Sequence, residues 1–138
     1  MRFRFAVTVL ALVVGGGVLG AGQPSPDFVA EKMTVARMHN LGLKLEEWRL
    51  EKNGEAPNSL DVLRKRFGLS KELTQDGWGR ELYFYLSSQH CVIASFGKDG
   101  LPDAQSSPAG GTLTTPKHDA DIVWIDGEWA QTPYGIGR

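Results

Sequence analysis

Between residues 27 and 53, apolar side chains recur at steps of three and four residues, and most charged side chains lie between them. This spacing is typical of an amphipathic helix. Ser25 or Asp27 is suited to cap its start, and Asn53-Gly54 can take the left-handed conformation that ends a helix. The pattern predicts one long helix. Its apolar stripe consists of Phe28, Val35, Met38, Leu41, Leu45 and Trp48, whereas Glu31, Lys32, Arg37, Lys44, Glu47 and Glu51 are expected to lie mostly off it.

A second, shorter helix is predicted from the segment after Pro57 to about Arg66. Asn58 or Ser59 is suited to cap it, and Gly68 is suited to end it. The apolar positions expected on its inward side are Leu60, Leu63 and Phe67.

The second half of the chain changes to short runs of aromatic and β-branched residues, which are typical of strands. Ser87-Ser88-Gln89 indicates a hairpin between the first two runs, and Asp126-Gly127 is a tight-turn pair after the third. Helices first and strands last predict an α+β fold, in which the long helix packs on a small antiparallel β-sheet of three to four strands. The predicted strands are residues 82–86, 91–96, 122–125 and the segment that begins at Glu128-Trp129.

A long loop, residues 97–121, separates the second and third predicted strands, and its part from 101 to 117 is rich in proline, glycine, serine and threonine. Such loops are uncommon unless a ligand or a function holds them. Carboxylates border the loop on both sides, and with nearby backbone carbonyls they match the all-oxygen shell that calcium prefers. We therefore expect a calcium site. The candidate ligands are Asp99, Asp119 and Asp121, with Asp103 as a weaker one. The alternative is that Asp99-Gly100 is only a turn and the other acids are solvated.

Residues 1–22 have the pattern of a secretory signal peptide. Two arginines precede an uncharged run that ends in small residues, so cleavage is expected near Ala21 or Gly22. An uncleaved membrane anchor is the alternative, because about 18 apolar residues lie at the lower edge of what crosses a bilayer. The remaining residues, 23–138, are expected to form one domain that is periplasmic or secreted, or anchored in the inner membrane and facing the periplasm.

Composition and charge exclude some classes of function. The chain has 138 residues, with 41% hydrophobic and 22% charged residues, which is ordinary for one globular domain. The net charge of −1 becomes −3 if both leader arginines are removed, so no nucleic-acid partner is indicated. The single cysteine, Cys91, excludes an intramolecular disulfide and a cysteine metal cluster. Its apolar surroundings favour a buried strand residue over a nucleophile.

Several short segments occur in a distinctive order along the chain. They are Leu45, Trp48, Asn53-Gly54, Pro57, Leu60-Asp61-Val62-Leu63, Asp76-Gly77-Trp78-Gly79, Tyr83, Ser95-Phe96-Gly97-Lys98-Asp99-Gly100 and Asp119-Ala120-Asp121-Ile122. In this order they resemble the G-type major pseudopilin of bacterial type II secretion. That family usually shows Asp-Pro-Trp-Gly, then Tyr, then Ser-Leu-Gly-Ala-Asp-Gly, then an acidic segment that ends in Asp-Ile. The resemblance covers about residues 33–125, and it depends on the order of the motifs because no single one is specific.

The resemblance implies a pilin-like fold and a structural or assembly role, without catalysis, in a type II secretion or type IV pilus-like apparatus. It implies that calcium is bound by Asp99, Asp119 and Asp121 together with the main-chain carbonyl of Phe96. The implied partners are proteins, namely components of such an apparatus or further copies of the chain, and a membrane only if the N-terminal segment is uncleaved.

The family's leader, a glycine processing site followed by Phe-Thr-Leu-Ile-Glu or a similar run, differs from the start of this chain, where the first acid is Asp27. This difference gives an alternative interpretation. The chain would then be a free periplasmic or secreted protein-binding module that reuses the pseudopilin fold.

An enzyme would use some of the same residues differently. His118 beside Asp119 and Asp121 is compatible with an acid/base pair or with part of a hydrolase metal site. No nucleophile elbow, phosphate loop or paired histidine motif accompanies it in the sequence. We therefore do not expect an enzyme.

Overall fold

A computed structural model describes residues 22–103 and 118–132, which form an α+β arrangement. A long helix packs with a four-stranded antiparallel sheet, and this confirms the predicted fold class. The elements are α1 (Pro26–Glu51), α2 (Leu60–Phe67), a 3-10 helix (Lys71–Thr74), β1 (Tyr83–Leu86), β2 (Cys91–Ser95), β3 (Ile122–Ile125) and β4 (Glu128–Gln131). The 3-10 helix has no counterpart in the predicted elements.

Local sequence sets both ends of each helix. The Ser25 hydroxyl caps α1 by accepting a hydrogen bond from the amide of Phe28 at 3.2 Å. The Ser59 hydroxyl caps α2 by accepting one from the amide of Val62 at 3.2 Å. Beyond α1, Asn53 and Gly54 have φ angles of 55° and 91°, and Gly68 after α2 has a φ of 62°. These residues can adopt the left-handed conformation at low cost, so the helices end close to where the sequence predicts.

The four strands follow one another in the sheet in the order β1-β2-β3-β4, and each is antiparallel to the next. Asp126 and Gly127, between β3 and β4, have φ angles of 50° and 99°. Two positive φ angles in succession are what a type I′ hairpin turn requires. The turn places Trp124 of β3 opposite Trp129 of β4.

One face of α1 and one face of the sheet enclose the hydrophobic core. Gly42 permits close packing of α1 on β3, because a Cβ there would lie 3.1 Å from the ring of Trp124. The buried residues of the core are Met38, Leu41, Leu45, Leu60, Leu63, Leu82, Cys91, Ile93, Ile122 and Trp124. The core therefore joins both helices to the middle strands of the sheet.

The first turns of α1 bury polar residues. Glu31 is 1% exposed and Thr34 is fully buried. Both are in phase with Met38, Leu41 and Leu45, at steps of three and four residues. The expectation that Glu31 lies off the buried stripe is therefore wrong, because the stripe continues to the start of the helix but becomes polar there.

Two predictions concern residues that lie outside the described ranges. The predicted signal peptide or membrane anchor covers residues 1–22, of which the structure describes only Gly22. Of the 101–117 segment, the structure describes residues 101–103. Of the helices within residues 22–103 and 118–132, none combines the length and the hydropathy needed to cross a bilayer.

Candidate functional site

Three connecting segments converge on the N-terminal half of α1. They are the turn of residues 76–80 before β1, residues 95–100 from the last residue of β2 onward, and residues 118–121 before β3. We refer to these segments, together with residues 27–37 of α1, as the polar junction. Backbone groups and charged side chains form most of its links.

Asp76 is the buried centre of the polar junction, with 2% of its surface exposed. Its Oδ1 accepts hydrogen bonds from the amides of Trp78 at 3.0 Å and Arg80 at 2.9 Å. Its Oδ2 accepts a hydrogen bond from the Ser95 hydroxyl at 3.0 Å. Three donors around one carboxylate hold residues 76–80 in a tight turn and attach this turn to the end of β2.

The same turn contacts α1 directly. The amide of Gly77 donates to the Thr34 hydroxyl at 2.8 Å, and the Arg37 guanidinium donates to the carbonyl of Asp76 at 2.8 Å. A Cβ at Gly77 would lie 2.0 Å from the carbonyl oxygen of Ala30. Glycine is needed at this position because the two backbones approach closely.

Arg80 joins the turn to the segment after β2. Its guanidinium donates to the carbonyls of Gly97 at 2.8 Å and Lys98 at 2.7 Å. The amide of Lys98 in turn donates to the carbonyl of His118 at 2.8 Å. Gly97 has a φ of 64°, and a Cβ there would lie 2.4 Å from the carbonyl oxygen of Asp119. The second and third segments are therefore in direct backbone contact.

Asp27 and Lys98 form an ion pair at the surface of the polar junction. Lys98 Nζ lies 2.8 Å from Asp27 Oδ2, and the Trp78 indole donates to Asp27 Oδ1 at 3.2 Å. The hydrogen bond from Lys98, followed by that from Trp78, lowers the pKa of Asp27, and Asp27 raises the pKa of Lys98. Solvent reaches this ion pair, so the pair contributes little to the stability of the domain. Its main effect is to orient the segment that contains Lys98 against α1.

Glu31 is a buried acid that faces the third segment. Its Oε1 lies 2.5 Å from Nδ1 of His118, while its Oε2 has no hydrogen-bond partner among the described residues. The imidazole of His118 therefore contacts α1. In the structure the side chain of His118 is paired with Glu31, and not with Asp119 or Asp121.

The candidate calcium ligands occupy different environments. Asp99 is exposed, and its Oδ1 accepts a hydrogen bond from the amide of Leu101 at 2.9 Å, which closes a local turn. The carbonyl of Phe96 accepts a hydrogen bond from the amide of Gly100 at 3.1 Å. Asp119 is exposed. The fourth candidate, Asp121, is 1% exposed.

Asp121 is instead brought together with Asp103, the weaker candidate. Asp121 Oδ2 accepts a hydrogen bond from the amide of Asp103 at 3.0 Å, and Asp103 Oδ2 accepts one from the amide of Asp121 at 2.9 Å. The side-chain amide of Gln131 donates to the same oxygen of Asp103 at 3.4 Å. We call the reciprocal Asp103 and Asp121 pair the loop clamp, because it joins Asp103, within the long loop, to Asp121 at the end of the loop and connects them to β4.

Within residues 22–103 and 118–132, no three or more acidic, histidine or cysteine side chains are grouped to hold a metal. The donor types suit calcium, but the described conformation does not gather them, and a bound ion would have to draw Asp99 and Asp119 towards Asp121. Two surface depressions, of about 280 and 470 Å³, are lined by residues outside the polar junction. The described geometry is suited to hold segments together.

Sequence patterns single out Asp76 only as part of a motif, and they do not single out Glu31 or Arg80. The Asp-Gly-Trp-Gly segment does contain a turn signal, and the phase of Glu31 with the buried stripe is a second usable signal. For Arg80 we find no signal in the sequence, because its acceptors are backbone carbonyls.

Cys91 is fully buried in β2, which confirms the prediction of a core residue. Burial raises the pKa of its thiol to about 11. The thiol is therefore protonated near neutral pH and is a poor nucleophile.

A comparison of the chain with models of protein families, with curated proteins and with solved structures finds no match. The functional conclusion therefore depends on the motifs in the sequence and on the geometry of the polar junction.

Proposed function

We propose that this protein is an exported, pseudopilin-like structural or assembly protein associated with a type II secretion or type IV pilus-like apparatus. The observation that carries the proposal is the convergence of its motif segments. Residues 76–79, 95–100 and 119–122 carry much of the resemblance to the major pseudopilin, and all three segments meet at one end of α1. Motifs that serve a single structural unit are expected to meet in the fold.

The contacts of the polar junction support a role in assembly. Asp76, Gly77 and Arg80 together connect α1, the turn before β1 and the loop after β2. Such a junction fixes the position of the loop ends on the helix. The described segments of the polar junction can then present one defined surface to a protein partner, which is the class of partner we propose.

Calcium is part of the proposal, with Asp99, Asp119 and Asp121 and the carbonyl of Phe96 as its ligands. The chemistry of the donors supports it, since all are oxygen atoms. The loop clamp can hold Asp103 and Asp121 together without a metal ion, because the carboxylate of each residue accepts a hydrogen bond from the backbone amide of the other. The two possibilities differ in whether the stability of the domain depends on calcium.

We expect saturating calcium to raise the midpoint of thermal unfolding by about 5 to 10 °C relative to chelator, because a ligand that binds only the folded state stabilises it. Asp119→Ala should abolish this difference without disturbing the loop clamp, since Asp119 is exposed and outside it. Asp61→Ala, at an exposed acid on α2, is the matched control and should keep the difference. Equal midpoints in calcium and in chelator would exclude the site.

The role in secretion is tested by deletion of the gene. We expect reduced export of secreted proteins or fewer sheared pili, with recovery when the full chain is supplied. A chain without residues 1–22 should not restore function, because it is not exported. A deletion strain with normal export and normal pili would contradict the association with such an apparatus.

The second candidate function is a free periplasmic or secreted protein-binding module with the same fold. The signal-peptide pattern of residues 1–22 favours it. Cell fractionation distinguishes the two candidates. A soluble mature protein that begins near Gln23 supports the free module, whereas retention in membranes or in sheared filaments supports the apparatus component.

A further inference from the structure

The face of α1 that points away from the core carries a second apolar repeat. Residues 29, 33, 36, 40, 43, 47 and 50 follow alternating steps of four and three residues, and all of them are exposed. We call these positions the outer stripe. Leu43 is 57% exposed and Leu50 is 85% exposed, so the side chains contribute little to the core. The members of the outer stripe are Val29, Met33, Ala36, Asn40, Leu43, Glu47 and Leu50.

The outer stripe lies opposite the buried stripe of the same helix. With 3.6 residues per turn, its positions fall within an arc of about 100°, centred away from Met38, Leu41 and Leu45. Its length is about 32 Å at a rise of about 1.5 Å per residue. A surface helix normally has charged and polar residues on this side. A mostly apolar repeat there indicates a surface that another molecule covers.

Steps of four and three residues are the spacing of a coiled-coil seam, in which a and d positions alternate. In this notation the a positions are Met33, Asn40 and Glu47, and the d positions are Val29, Ala36, Leu43 and Leu50. A second helix with the same spacing complements this surface, and the outer stripe of another copy has that spacing.

Charges beside the outer stripe distinguish the two possible directions. In a parallel pair, each g residue faces the e residue that lies five positions later in the other copy. The facing pairs would be Lys32 with Arg37, His39 with Lys44, and Glu46 with Glu51. Not one of these pairs has opposite charges, so the parallel direction is disfavoured.

In an antiparallel pair, g residues face g residues. Lys32 of each copy then faces Glu46 of the other, which gives two attractive contacts by symmetry. Arg37 is directed away from this seam, because its guanidinium donates to the carbonyls of Gln75 and Asp76 at 3.2 and 2.8 Å. In the same alignment Met33 lies beside Leu43 of the other copy, near the centre of the interface.

We propose that the protein forms an antiparallel homodimer through the outer stripe of α1. The interface is isologous, since the same surface of each copy is buried. The dimer does not depend on the proposed function, because the outer stripe lies on the opposite side of α1 from the core and is equally available in an apparatus component and in a free module.

Sedimentation equilibrium of the protein purified after export of the full chain tests the interface. We expect a reversible dimer, and Leu43→Gln should raise its dissociation constant at least about tenfold by placing an amide in the seam. Leu101→Gln is the matched control, since Leu101 is 65% exposed but lies off α1. A protein that stays monomeric at its highest soluble concentration overturns the proposal. A dimer that Leu43→Gln leaves unchanged overturns it as well.

Charge reversal tests the direction of the helices. Lys32→Glu should weaken an antiparallel dimer several-fold, and Lys32→Glu with Glu46→Lys should restore it, because the facing charges are again opposite. In a parallel dimer Glu46→Lys alone would face Glu51 of the other copy and strengthen association, whereas it should weaken an antiparallel dimer. Strengthening by Glu46→Lys therefore overturns the antiparallel arrangement. Circular dichroism and thermal unfolding of each variant distinguish a loss of association from a loss of folding.

Discussion

Gly97→Ala is expected to lower the free energy of unfolding by about 3 to 4 kcal/mol. Two effects add at this position. The φ of 64° costs an alanine roughly 1 to 2 kcal/mol, and forced repacking costs a further 1 to 3 kcal/mol. Repacking is needed because the new Cβ would lie 2.4 Å from the carbonyl oxygen of Asp119, which is backbone and cannot rotate away. Urea denaturation measured by circular dichroism gives the change in free energy.

Gly79→Ala separates the two effects. Gly79 has a φ of 84°, but no atom lies within 4 Å of the position its Cβ would take. Its substitution should therefore cost only the conformational part, about 1 kcal/mol. If Gly97→Ala costs no more than Gly79→Ala, the segments after β2 and before β3 are not in the close contact that defines the polar junction.

Asp76→Ala is expected to cost about 3 kcal/mol of unfolding free energy. The substitution removes the acceptor for three donors, namely the amides of Trp78 and Arg80 and the hydroxyl of Ser95. A buried donor that is left without a partner carries a desolvation cost of about 1 to 3 kcal/mol. The amides of Trp78 and Arg80 are only partly buried, so water can bind them in the variant and reduce the sum. Equilibrium unfolding in urea measures this change.

Two further variants distinguish this explanation from a general effect of losing an acid. Asp76→Asn keeps one side-chain carbonyl oxygen as an acceptor, and it should cost clearly less than Asp76→Ala. Glu55→Ala should leave the midpoint of urea unfolding unchanged, because Glu55 is exposed and its carboxylate has no side-chain contact among the described residues. Equal effects of alanine and asparagine at position 76 would contradict this explanation, because the acceptor oxygen that asparagine retains would then contribute nothing to stability.

The elements of the fold can be predicted because their signals are local. Ser59 and Gly68 mark the ends of α2 within a few residues of chain, and Asp126-Gly127 specifies the turn between β3 and β4. The period of the apolar residues changes from a helical to a strand spacing between the two halves. Each of these signals acts through backbone conformation or one hydrogen bond, so it does not depend on the rest of the fold.

The polar junction could be predicted only in part, because its contacts join residues that are far apart in the chain. Asp76 meets Ser95, and Glu31 meets His118, 87 residues later. A hydrophobic pattern treats an acid such as Glu31 as solvated, although its phase places it on the buried side of α1. The order of the motifs indicated which segments matter but not which of their atoms touch.

The candidate calcium ligands illustrate the same limit. The sequence places them next to the strands that border one loop, but proximity in topology does not fix side-chain partners. In the structure, Asp121 is joined to Asp103 through backbone amides, while Asp99 closes its own turn. Competition between an amide and a cation for one carboxylate depends on local angles, and these cannot be read from residue spacing.

The loop clamp has a consequence for how the chain tolerates changes in length. It holds the ends of the excursion between Asp103 and Asp121 together by direct hydrogen bonds. The entropy cost of closing a loop grows only with the logarithm of its length, by about 0.6 kcal/mol for each doubling. Insertions between the two aspartates should therefore leave the folded domain almost unchanged in stability. The number of residues between the two aspartates can therefore change while the helix and the sheet keep their places.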